Sequence, residues 1–364
     1  VTYHRRPMIC TKDILGLGVT IVGSGCNLVG YYMYHGGQNP ANEATNLQES
    51  RDTEYPNDYP IVSYDFQSPL GECGQYRQSY FQMKQLHSFL HCYGELLAPM
   101  VSVLPKEQPT TFEDMKTLRC AVRTDGTKGF LFVNHYERLE TLAAHKDVVV
   151  ELQLATSKIT VEIPQVLSNI QFILPFNLSI GGERLLYALA QPVDIIDNVY
   201  SFLSIDGVEP RFVFEHSEFV LTESGVSVGT AILRLVKSEE YTVTKGDMLE
   251  VCKVENRIPF DRFTYLNLTD QTQEWEVKWN AQHKYLKIDC VGNVAQAYCG
   301  GVLVSDWFCN GTPWVIDTTT LNEQKLIIKV QPLTELDDIY FEVAMPYGIF
   351  PPKVEGITES DIFI

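Results

Sequence analysis

Tyr31-Tyr32-Met33-Tyr34-His35-Gly36-Gly37-Gln38-Asn39-Pro40 is the stretch on which the reading of this chain turns. The run Leu28 to Met33 is apolar and predicts a buried strand. Gly36-Gly37 and then Asn39-Pro40 end it with turn signals. A strand that runs into a glycine pair and a loop is how a parallel α/β sheet delivers side chains to a mouth at its carboxyl edge. Without a Cβ, the glycines let the backbone turn sharply and come close to a ligand. An ordinary buried strand and turn gives the same pattern, so the flanking sequence has to decide.

Upstream, Thr11 to Gly23 predicts a helix. Thr11 or Asp13 can cap it, and Ile14, Leu17 and Ile21 recur at near-helical spacing. Gly16, Gly18 and Gly23 weaken it by about 1 kcal/mol each relative to Ala. Helix, short turn and buried strand make one αβ unit of a parallel fold. Before it, Tyr3 to Arg6 read as a loop with two adjacent positive charges, either solvated or a salt-bridged turn. Downstream, Asn39 to Pro60 is a long polar loop whose acids, Glu49, Asp52, Glu54 and Asp58, read as solvated surface rather than a catalyst. Glu72 to Leu97 is the clearest helix. Tyr76, Tyr80, Met83, Leu86, Leu90 and Tyr93 form one stripe suited to core packing. Pro99, Pro105 and Pro109 then mark a linker, and the α/β pattern stops.

From Leu118 onward the chain alternates short β-branched and aromatic runs with turn signals. Gly129 to Asn134, Asp147 to Leu152, Phe172 to Asn177 and Leu185 to Ala188 predict strands of an antiparallel sandwich spanning 110–240. A second β unit spans 241–364. In Glu274-Trp275-Glu276-Val277-Lys278-Trp279 the period of two puts both tryptophans on one face. Trp307 and Trp314 bracket Asn310-Gly311-Thr312-Pro313. Exposed, they would stack on sugar rings; buried, they would pack the sandwich core.

Composition narrows the function classes. The 364 residues carry a formal charge of -18. That argues against nucleic acid or an anionic membrane as partner, while a neutral sugar is not repelled. No apolar run approaches the length of a membrane span. Nine cysteines without a Cys-x-x-Cys spacing argue against a zinc site and against a dense disulfide framework. A pair among Cys290, Cys299 and Cys309 is open, as are free buried thiols. No metal or organic cofactor is implied. Val1 to Pro7 has neither an initiator Met nor a leader and reads as the interior of a longer chain, so no compartment is assigned.

Ser63-Tyr64-Asp65-Phe66-Gln67-Ser68-Pro69-Leu70-Gly71-Glu72 follows the opening stretch. Together the two resemble the family 35 glycoside hydrolases, the β-galactosidases. There the eighth barrel strand reads Tyr-Met-(aromatic)-x-Gly-Gly-Thr-Asn and a Ser-Tyr-Asp-(aromatic)-x-Ala-Pro-Leu loop follows. Arg123 to Asn134, Leu174 to Gly182 and Val302 to Trp314 resemble the family's β modules, in the right order along nearly the whole chain. The resemblance implies α/β followed by all-β. Residues 1–100 would be the C-terminal end of a (β/α)8 TIM barrel, from after strand seven through helix eight. Residues 110–240 would be a β-sandwich and 241–364 a galactose-binding-like jelly roll.

The implied chemistry is retaining hydrolysis of terminal β-galactosides by two glutamates about 5–5.5 Å apart. Neither has a counterpart in this sequence; both are expected upstream of Val1, so the chain alone should turn over nothing. The resemblance carries Tyr32 over as a sugar-side tyrosine. Phe66 stands where a sugar-contacting Tyr is common, and Gln38 and Pro40 stand where Thr and Phe are common. His35, Asn39, Tyr64 and Asp65 are the further candidates for the pocket wall. The same architecture acting on another β-glycoside, as an exo-β-glucosaminidase, and a non-catalytic carbohydrate-binding protein are the alternatives.

Overall fold

The structure, a computed structural model, describes residues 1–40, 58–239, 241–255 and 271–364. Glu49, Asp52 and Glu54 lie outside the described residues. Strands dominate, most of them in antiparallel sheets, and the described residues contain two α-helices. The chain divides into two compact units that interleave in sequence. One is Val1–Ile9, Tyr32–Gln78 and Tyr241–Ile364. The other is Cys10–Tyr31 and Ser79–Glu240.

The second unit contains α1, Thr11–Gly23, and all but the first residue of α2, Gln78–Leu97. Helix α1 has the expected bounds, but its cap is Cys10, whose N–H donates to Asp13 Oδ2 at 2.8 Å. This is the reciprocal half of a capping box, with the acid of the first turn reaching back. Helix α2 starts six residues later than its periodicity suggests, because Glu72 to Arg77 are held in turns by Asp65 and Ser68, described below. Its buried stripe is Ser79, Met83, Leu86, Phe89, Tyr93 and Leu97.

Both helices pack on a seven-stranded antiparallel sheet centred on Gly129–His135 and Ile170–Ile180. Phe130 meets Phe89 and Tyr93 of α2 edge-on, with ring centroids 5.3 and 5.4 Å away. Phe132 lies against Gly23 of α1, where an added Cβ would come within 3.0 Å of it. The alternate residues Leu131 and Val133 face the opposite way. They share a core with Phe172, Leu174 and the antiparallel ribbon His145–Gln153 and Lys158–Val166. Both faces of this strand are covered, which is why it reads as an unbroken apolar run. A four-stranded sheet follows, and Phe202 and Leu233 from it meet Phe212 and Leu185 in a further core.

Arg123 ties the helix ends together. It is 1% exposed and donates to Leu97 O and Met100 O at the end of α2, and to Val22 O and Cys26 O at the end of α1. The last carbonyls of a helix have no partner within the helix. One guanidinium, with several donors in a fixed fork, serves both ends at once.

The first unit holds a four-stranded and a five-stranded antiparallel sheet. Trp275 and Val277 of Gln273–Lys278, and Trp279 just after it, alternate inward as expected. They meet Leu286, Ile288, Trp314 and Ile316 from the other sheet in one core. Trp307 and Trp314 are both buried, so neither offers an exposed face.

Leu28 to Tyr34 is not a strand. Leu28 and Tyr32 are 88% and 89% exposed. Apolar composition predicts burial, but a parallel strand also needs a neighbour to accept its hydrogen bonds. No described strand pairs with this segment. Of the described strands in the first hundred residues, none pairs in parallel with another; an isolated His35–Leu70 bridge is the nearest approach.

Arg123→Met should unfold the second unit at a lower denaturant midpoint, by about 3 kcal/mol, because it leaves several buried carbonyls without donors. Arg211→Met, at an exposed pair with Glu209, should stay within about 0.5 kcal/mol. Chemical denaturation of the two variants side by side measures the difference.

Candidate functional site

The two motif stretches meet in a short antiparallel ribbon, Gly37–Gln38 against Ser63–Tyr64. Asn39 extends it: its N–H donates to Val62 O at 2.8 Å and its Nδ2 to Ile61 O at 3.0 Å. Gly36 is required by the fold. A Cβ there would sit 2.7 Å from the Glu72 nitrogen and 3.1 Å from Asp65 Cα. The close approach read from the sequence is therefore to the chain's own backbone. Gly37, by contrast, faces open space.

On this frame three of the candidates come together. The hydroxyls of Tyr32 and Tyr64 are 2.6 Å apart. The Tyr64 ring meets Phe66 edge-on at 4.7 Å, and Tyr59 lies 6.0 Å from Phe66. The hydrogen bond with Tyr32, followed by burial, pushes the Tyr64 phenol above its ordinary value. The result is a row of aromatic surfaces with a hydroxyl pair at one end. His35 is exposed, with Nδ1 turned to the Gly36 carbonyl at 2.5 Å. Phe66 also lines a small cavity with Val1, Asp65, Trp307 and Asn310. Its volume, about 20 Å³, is room for one water. Tyr32 is not among its lining residues.

Asp65 and Asn39 are committed to the scaffold. Asp65, 2% exposed, pairs with Arg77 at 2.8 Å and accepts from the Gln67 and Glu72 amides at 2.8 and 2.9 Å. These bonds hold Phe66 and Gln67 in left-handed backbone, φ 49° and 58°. An aspartate bonded to the amide two residues on is a local device for such a turn. Arg77 also donates to Ser68 O at 2.7 Å, which keeps the segment before α2 from joining the helix.

Sequence reasoning missed three residues that build this wall. Asp306, fully buried, accepts from the amides of Ile61, Val62 and Ser63 at 2.5, 2.9 and 2.9 Å. Its signal was a Ser-Asp pair inside the apolar strand Val302–Phe308. Arg6, read as part of a solvated loop or a salt-bridged turn, is fully buried. It donates to Tyr3 O at 3.1 Å, Asn293 O at 2.6 Å, Cys309 O at 3.0 Å and Asn293 Oδ1. The rings of Tyr3, Phe308 and Phe341 lie 5.1 to 5.5 Å from its guanidinium. Arginine's weak hydration and flat faces suit such a site better than lysine would.

No family model matches the chain, and no curated protein matches it.

Glu72 is the third missed residue and the one with perturbed chemistry. Gln38 Nε2 and Ser305 Oγ approach its Oε1, each at 3.4 Å, and its Oε2 is buried without a hydrogen bond. Trp314 Nε1 in turn donates to Ser305 Oγ at 2.9 Å. Burial, with smaller contributions from the charges of Asp65 and Asp306, raises the Glu72 carboxyl to about 8. Three carboxyls share one region. Asp65 and Asp306 have amide or arginine donors at short range, and Glu72, the raised one, has neither.

A raised carboxyl pKa means the fold holds the proton more tightly than the unfolded chain does. The stabilising contribution is therefore full below the ordinary value of 4.5, falls as pH rises, and is gone above about 8. Glu72→Gln should remove that dependence. Relative to the parent chain it should gain on the order of 3 kcal/mol between about pH 5 and about pH 9. Urea midpoints across that range test it; parallel profiles for the two proteins would contradict it.

Proposed function

We propose that this chain is the C-terminal part of a retaining glycoside hydrolase of family 35, one that removes terminal β-galactosyl residues from oligosaccharides or glycoconjugates. The observation that carries the reading is the Tyr32–Tyr64 hydroxyl pair beside Phe66. Two motifs that resemble the family's sugar-side elements, separate in sequence, supply one aromatic wall. An aromatic surface ending in a hydroxyl pair suits a pyranose, which has apolar C–H faces and a polar rim.

On this reading residues 1–100 are the last portion of a (β/α)8 barrel. On it, neighbouring barrel strands would cover Leu28 and Tyr32, which are exposed here. The two sheets of the first unit are then the galactose-binding-like jelly roll, and the cores around Leu131 and Phe202 belong to the intervening sandwich. Tyr32 lies near the nucleophile. Its hydroxyl, shared with Tyr64, is a donor that can hold a carboxylate ionised and oriented. Phe66 offers an apolar face and no hydrogen bond to the sugar. Glu72 and Asp65 stay behind the wall and shape it. The two glutamates that protonate the leaving oxygen and attack the anomeric carbon come from preceding sequence.

The reading makes a paired prediction. The 364-residue chain should not hydrolyse a chromogenic β-galactoside, whereas the same chain extended upstream through a barrel with two strand-end glutamates should. In the extended protein Tyr32→Phe should lower kcat/KM roughly tenfold to a hundredfold, the value of a hydrogen bond to a charged group. Glycosidase-like turnover by the chain alone would refute the assignment. Faster hydrolysis of a β-glucosaminide than of the galactoside would move it to the other sugar.

A further inference from the structure

We propose that Cys290 and Cys309 form a disulfide that staples the two sheets of the first unit beneath the Arg6 guanidinium. Cys290 directly follows Tyr285–Asp289 of the four-stranded sheet, and Cys309 directly follows Val302–Phe308 of the five-stranded sheet. The chain turns back between the sheets at Cys290 to Asn293, and there the Cys309 N–H donates to Asn293 O at 3.0 Å. Both cysteines are buried in the single core that the sheets share. Both are free thiols, and each side chain acts on the other.

The other cysteines are placed differently. Cys10, Cys26 and Cys252 are exposed. Cys73 and Cys299, like Cys26, turn their sulfurs to backbone carbonyls. A thiol against a thiol, across two sheets and at the ends of two strands, is the arrangement a cross-link needs.

Either thiol can attack first, and the balance is the same in both orders. Burial leaves no path for an oxidant in the closed core, so the exchange belongs to folding, while the strands are still open. The Cys309 thiolate attacks one sulfur of a low-molecular-weight disulfide such as oxidised glutathione, and one glutathione thiolate leaves. The Cys290 thiolate then attacks Cys309 of the mixed disulfide and expels the second glutathione. Two protein thiols are oxidised, one small disulfide is reduced to two thiols, and the thiol protons pass to solvent and to the departing thiolates.

The staple closes a short loop and fixes the Arg6 cradle, since Asn293 O and Cys309 O, which both accept from Arg6, lie within that loop or at its end. Its formation makes the segment carrying Val1 to Arg6 dependent on the redox conditions of folding. This does not rest on the glycosidase reading.

The test is to refold the full chain in a mixture of oxidised and reduced glutathione, alkylate in denaturant, and map the unreduced digest by mass spectrometry. The expected result is a cross-linked pair of peptides containing Cys290 and Cys309, with the other seven of the nine cysteines alkylated. Cys299→Ser should leave that cross-link intact, and Cys290→Ser should leave Cys309 alkylated. Nine alkylated cysteines, or Cys309 joined to Cys299, would overturn the proposal. The mapping of the unsubstituted chain decides the matter even if a serine variant fails to fold.

Discussion

Asp306 takes three successive backbone amides, those of Ile61, Val62 and Ser63, onto one buried carboxylate. Charge-assisted bonds of this kind are short and directional. They fix the path of the loop that then pairs with Gly37–Gln38 and carries Tyr64, Asp65 and Phe66. Without that anchor the Tyr64 ring would have no fixed position from which to meet either Tyr32 or Phe66. The same anchor constrains its neighbour. A second charge at Glu72, close by and poorly solvated, would repel it, and the proton on Glu72 removes that conflict.

Buried arginines perform the matching task for carbonyls. In the first unit Arg6 gathers Tyr3, Asn293 and Cys309. In the second Arg123 gathers the ends of α1 and α2. In each case one cation satisfies main-chain acceptors from segments far apart in sequence. Loops that carry no regular ladder would otherwise leave those groups unsatisfied inside the protein.

Much of the framework was legible in the sequence. Helix α1 and the strands Gly129–His135, His145–Gln153 and Gln273–Lys278 follow from periodicity, because a face that is buried must be apolar along its whole length. The bridging of Tyr32, Tyr64 and Phe66 was foreshadowed by two motifs read together. Leu28 to Tyr34 misled because hydrophobicity reports burial preference and not the presence of a partner strand. Arg6, Glu72 and Asp306 were opaque for the opposite reason. A charged residue is read as solvated unless its partners are known, and theirs lie up to about 300 positions away, as between Arg6 and Cys309. The start of α2 was set by the tertiary grip of Asp65 and Ser68 on Arg77, which no local rule contains.

The interleaving of the two units bears on how the chain matures as it leaves the ribosome. The second unit is complete once Glu240 has emerged. The first draws on segments far apart in sequence: the Tyr76 N–H donates to Ile362 O at 2.7 Å, and Ile364 N–H returns to Tyr76 O at 2.9 Å. Domains commonly fold as units during synthesis. The segment bearing the aromatic wall must then wait, unpartnered, while a whole other unit assembles within the same growing polypeptide. It closes only when Ile362 to Ile364 have been added.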